Sequence, residues 1–150
     1  MQKKILIAIA LLLGLIIASS IIFKPEEVIR LSKLSDHEVV TGDMFGTTLT
    51  VEVVNTPQSI GTGLGNKDSF EQDGMLFVFG RLSQPVFWMK GMKFPIDLYW
   101  IRDMKIIGVD ENLQPPAEGT PDTDIEKYVF PEEVDMVLEI PVEKGIKLSF

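Results

Sequence analysis

The chain has 150 residues, with 14 basic and 22 acidic side chains, one histidine, no cysteine and a formal net charge of −8. The absence of cysteine excludes disulfides, thiolate metal sites, a thiol nucleophile and a lipid-modified cysteine. The acidic balance argues against nucleic acid and against anionic lipid surfaces as partners.

Lys3 and Lys4 precede an uncharged run, ILIAIALLLGLIIASSIIF, at residues 5–23. Its length matches the ~20 residues a helix needs to cross a bilayer core. Residues 1–23 are therefore expected to be a transmembrane signal anchor. The run exceeds the usual ~7–15 residues of a cleavable signal, although Ala18 and Ser20 also suit cleavage, which makes a signal peptide the alternative. A basic pair followed at once by an apolar run has the layout of an export signal. The expectation is a single-pass protein of the cell membrane, held by residues 5–23, with its C-terminal part outside the cytoplasm. Without Lys3 and Lys4, that part has 12 basic and 22 acidic side chains, a net −10. It is long enough for one domain and must be stable on its core alone.

Residues 24–38 read as a juxtamembrane connector. Pro25, Glu26 and Glu27 suit a first helical turn. His37 lies here, in a polar segment where a histidine is expected to be solvated. Residues 39–150 read as a β-rich domain. The stretch VVTGDMFGTTLTVEVV has β-branched residues on both sides of Gly42-Asp43, which predicts a hairpin or a tight meander there. Leu49, Val51 and Val53 share one face of a strand, and Thr50, Glu52 and Val54 the other. Thr56 suits an N-cap with Pro57 at the first helical position. The helix it opens is weak, because Gly61, Gly63 and Gly65 each cost up to about 1 kcal/mol relative to alanine. One or two turns held by Ile60 and Leu64 are expected.

MLFVFG reads as a strand buried on both faces, VFWMK as another, and IDLYWI as a third beyond Pro95. Arg102 to Lys105 close a hairpin onto KIIGVDE. Residues 112–127 form a long proline-rich loop. VDMVLEI is a further strand, with Met136, Leu138 and Ile140 on one face and Asp135, Val137 and Glu139 on the other. Six to eight short strands with minor helix predict a mainly β (α+β) fold, a compact antiparallel barrel or sandwich.

The residue inventory excludes several chemistries. The single histidine lies in the connector, away from any triad. Gly61-Thr62-Gly63-Leu64-Gly65 lacks both the strand–GxGxxG–helix spacing and the lysine–hydroxyl pair of a phosphate loop. Asp122, Asp124 and Glu126 are weak candidates for a hard cation, because their spacing does not match a calcium loop. They read better as a solvated acidic loop, so no metal and no cofactor are expected. The segment FWMKGMKFPIDLYW concentrates the rest. Trp88 and Lys90 share a strand face, Asp97 follows the turn at Pro95, and Asp73 precedes the buried strand. Asp73, Trp88, Lys90 and Asp97 are the candidate ligand-binding residues. An indole beside paired charges suits a polar ring-bearing ligand such as a sugar. The bland reading puts Trp88 and Trp100 in the core and makes Lys90–Asp97 an internal ion pair.

The order DGMLFVF, FWMK, PID, VLEIP, from about Leu49 to Ile146, resembles the domain of unknown function 192 family, also called uncharacterised protein family 0127. Asp73, Gly74, Phe87, Trp88, Met89, Lys90, Pro95 and Asp97 fall on its signature. The resemblance implies a compact, barrel-like β domain, commonly behind an N-terminal signal or anchor. It carries no catalytic role to any position. The chain departs from the pattern at GLGNKDSF and at its short C-terminal end, PVEKGIKLSF. The expected function is a small-molecule or carbohydrate binding module. One alternative is a glycan hydrolase using Asp73 and Asp97 as a carboxylate pair; another is a structural partner of an envelope protein.

Overall fold

The computed structural model describes residues 30–149. The membrane-spanning segment expected at residues 5–23 lies outside them. Among the described residues no helix is long and apolar enough to cross a membrane.

The strands are β1 (Val39–Met44), β2 (Thr47–Val54), β3 (Gly74–Ser83), β4 (Phe87–Trp88), β5 (Ile96–Arg102), β6 (Lys105–Leu113), β7 (Lys127–Tyr128) and β8 (Val134–Pro141). One short helix, α1 (Pro57–Thr62), follows β2. Six strands form one sheet in the order β1-β2-β3-β8-β5-β6, and β4 pairs with β7 in a separate ribbon. The mainly β reading holds, with two corrections. The sheet is open, with β1 and β6 as its edges, where a closed barrel or sandwich was expected. It is also not wholly antiparallel, because β2 and β3 run parallel. A parallel pair needs a long crossover, and residues 55–73 with α1 supply it.

A third correction concerns the first hairpin. Gly42 and Asp43 lie inside β1, opposite Leu49 and Thr48. The turn is Phe45-Gly46, with φ of 55° and 77°. Two successive positive φ values match the right-handed strand twist, which the hairpin requires more than a small residue at a given place. The second hairpin turns at Asp103-Met104 as expected, again with both φ positive.

Strand β8 lies at the centre and is buried at all its positions. Its alternation sorts the core as the sequence predicts. Met136, Leu138 and Ile140 join Leu49, Val51, Val53, Leu76 and Tyr99 on one face. Val137 joins Val54, Met75, Phe77, Leu98 and Trp100 on the other. That second face is covered by residues from the connections, including Leu64, Phe70, Met89 and Met92. Helix α1 is capped as expected, with Thr56 and Ser59 forming a reciprocal capping box and Pro57 in the first turn.

Candidate functional site

A cleft of about 400 Å³ opens on the second face, between the glycine-rich segment after α1 and strand β4. Its apolar walls include Leu64, Phe77, Phe87 and Met92, and its rim carries Trp88 and Lys90. Phe87 stands edge-on to Phe77 at 5.1 Å and edge-on to Trp100 at 5.7 Å, and Trp100 stacks on Phe130. The wall is therefore tied through interlocking rings to the core.

The floor of the cleft holds Glu139. Alternation along β8 points it to the same side as Val137. Its neighbours across the sheet are Met75 on β3 and Leu98 on β5, so no charge faces it from either strand. The residue is 5% exposed, and Oε2 has no hydrogen-bond partner among the described residues. Burial pushes its carboxyl up to about 8. The backbone above it comes close because position 63 is glycine. A Cβ there would stand 3.2 Å from Phe77 Cζ and 3.9 Å from Glu139 Oε2. Gly63 also has φ 50° and ψ −136°, a conformation that side chains rarely adopt.

Trp88 is 37% exposed, whereas Trp100 is fully buried and donates from Nε1 to Asp110 Oδ2 at 2.7 Å. Trp88 pairs with Lys127 across the β4–β7 ribbon. The Lys127 ammonium lies 3.4 Å from its ring centroid and that of Lys90 5.0 Å. The rim is thus cationic on a chain that is acidic overall. Tyr128, beside Lys127, donates to Glu126 at 3.0 Å; burial and then Glu126 push its hydroxyl up to about 12.

The four candidate residues separate. Trp88 and Lys90 are brought together at the cleft. Lys90 pairs with Asp122 rather than Asp97, and both partners are exposed. Asp97 is 1% exposed and lies outside the cleft; it accepts from the Asn112 amide at 2.8 Å and from Lys147 Nζ at 2.7 Å. The chain end delivers Lys147 there, because Leu148 is buried in the core and its amide donates to the Tyr99 hydroxyl. Asp73 accepts from the Thr50 amide at 2.7 Å and donates its own amide to the Thr50 carbonyl, fastening β3 to β2. Strand β8 separates β3 from β5, so Asp73 and Asp97 hold different strands rather than face one substrate. Asp124 accepts from Thr123, and Glu126 from Tyr128. Among the described residues no group of three or more histidine or acidic side chains is arranged for a metal ion. His37 is exposed and bonds Glu52 through Nδ1 at 2.6 Å.

The family model DUF192, described as uncharacterized ACR, matches residues 38–148. The chain belongs to this family. The DUF192 match extends beyond both ends of the signature motifs, from just before β1 to Leu148. Two solved structures are similar. A protein of unknown function from Novosphingobium aromaticivorans DSM 12444 is 22% identical, with a TM-score of 0.56 over 73% of this chain and 78% of that one. A protein from Sinorhizobium meliloti 1021, described as a candidate transcription regulator, is 29% identical, with a TM-score of 0.57 over 73% and 86%. No curated protein matches the chain.

Within this DUF192 domain, sequence reasoning singled out the rim and missed the floor. A signal for Glu139 was there. It is the one acid inside VLEI, and alternation puts it on the face of Val137, which a central strand must bury.

Proposed function

We propose that the cleft binds a small polar molecule of about monosaccharide size, and that the domain is a binding module. The observation that carries this reading is Glu139, a buried carboxyl that lines the cleft and has one oxygen without a hydrogen-bond partner among the described residues. Burying such a group without a hydrogen bond costs folding free energy, and a ligand that supplies the missing bond recovers it on binding. The exposed Trp88 edge and the lysines around it add a polar-aromatic rim of the kind that orients hydroxylated rings. Asp73 and Asp97 are both engaged in bonds that hold the sheet, which leaves the hydrolase alternative without support. The acidic balance disfavours nucleic acid. The apolar run at residues 5–23 supports placing the module at the outer face of a membrane, and fractionation of the full chain into carbonate-washed membranes tests that placement.

Binding is tested with the full chain in detergent against a panel of monosaccharides, by melting temperature and tryptophan emission. A ligand of the native state raises the melting temperature, by an amount that grows with the logarithm of its concentration over Kd. With Trp100 buried, the emission response should come from Trp88 and vanish in Trp88→Phe. A panel that leaves both signals unchanged refutes the proposal.

A further inference from the structure

We infer that the inner end of this cleft recognises a primary amine, so that the sugar it takes is an amino sugar with its amino group free, the ammonium pairing with the Glu139 carboxylate. The inference rests on the monosaccharide reading and narrows it. A cleft that needed only a hydrogen-bond donor or acceptor at its floor would be served by glutamine, which carries no cost of ionisation. What glutamate provides beyond glutamine is a negative charge, and no cation among the described residues uses it. Among the described residues Lys90 is the only other charged one lining the cleft, and it is paired with Asp122 at the rim. The residues facing Glu139 from β3, β5 and the glycine-rich segment are Met75, Leu98 and Gly63, none of them titratable. The place of the counter-ion is thus open to the ligand.

The surroundings suit an alkylammonium. The Phe77 ring and the carboxyl both approach Gly63, where a Cβ would stand 3.2 Å from the ring and 3.9 Å from Oε2. A cation between them gains both the charge pair and the face or edge of an aromatic ring in a site of low dielectric. The sugar ring would extend outward along Phe87 and Trp88, where Lys90 meets its hydroxyls.

Proton linkage distinguishes this pairing from its alternative. Glu139 is largely protonated below about 8, so forming the ion pair releases a proton. Affinity for an ammonium ligand then rises with pH, by up to about tenfold per unit, until the amine itself loses its charge. A ligand that accepts a hydrogen bond from the neutral carboxyl shows no such rise.

The test is a binding titration of the full chain with glucosamine, glucose and N-acetylglucosamine at about pH 6 and pH 7, for wild type and Glu139→Gln. The expected result is a glucosamine affinity several-fold higher at the upper pH and about tenfold above that of glucose there. In Glu139→Gln the glucosamine preference over glucose and its rise with pH disappear. Equal or tighter binding of glucose and N-acetylglucosamine, or a glucosamine affinity independent of pH, overturns the amine inference and leaves the monosaccharide reading standing. Failure of all three sugars to bind wild type overturns both. The pH series on wild type decides the matter even if Glu139→Gln folds poorly.

Discussion

Asp97 and Glu139 are carboxyl groups buried in the same sheet, but only Asp97 has partners. Its oxygens take the Asn112 amide and the Lys147 ammonium. Removing it takes the buried acceptor from the Asn112 amide and the Lys147 ammonium, so Asp97→Ala should cost about 1–3 kcal/mol. Lys90→Met breaks the exposed pair with Asp122 and the ammonium contact with Trp88, and should cost no more than about 1 kcal/mol. Urea denaturation midpoints check the pair, and the opposite order would show that Lys90, not Lys147, holds the fold together. Glu139 behaves in the other sense. Its value is raised by burial from 4.5 to about 8. The favourable contribution of the neutral form is complete below about 4.5 and is lost as pH rises to about 8, amounting to roughly 4–5 kcal/mol over the window. Glu139→Gln should therefore stabilise the protein at about pH 8 and leave it nearly unchanged at about pH 4. A stability difference that is flat between those values contradicts the burial of an ionisable floor.

At the scale of elements, alternation was enough to sort β2 and β8 correctly, because β2 buries one face and β8 both, and a one-residue slip would misplace every side chain. Thr56-Pro57 marked the start of α1 for an equally local reason, the capping box. The register of β1 was not legible, since Gly42-Asp43 looks like a turn and Phe45 does not. Nor was the partner of β4 legible. Phe87 and Trp88 pair with Tyr128 and Lys127 across a long loop, and no local pattern predicts such a ribbon. The same distance in sequence hid the link of Asp97 to Lys147, while a nearby lysine at position 90 offered a plausible false partner. Gly74 shows what an element junction demands. A Cβ there would stand 2.7 Å from the Glu139 carbonyl oxygen, because β3 and β8 approach closely at this point. Gly74→Ala should cost about 1–3 kcal/mol in thermal or chemical unfolding; a neutral substitution would mean the two strands separate freely there.

For the whole molecule, composition and family resemblance led to a mainly β domain, and that is what the chain forms. Closure into a barrel did not follow, because the edges are β1 and β6, whose separation depends on the order of six strands rather than on any one of them. The site has the same character. Its rim came from a motif of adjacent residues, whereas its floor comes from a strand some fifty positions later, brought beneath β4 by the pairing of β3 with β8. The proposed ligand depends on Glu139 being dry and unpaired. Its side-chain carboxyl carbon, followed by NMR as pH is varied in the isotope-labelled full chain, tests that directly. The account predicts a midpoint near 8 that disappears in Glu139→Gln. A midpoint in the ordinary glutamate range, near 4.5, would mean a solvated carboxylate and would contradict it.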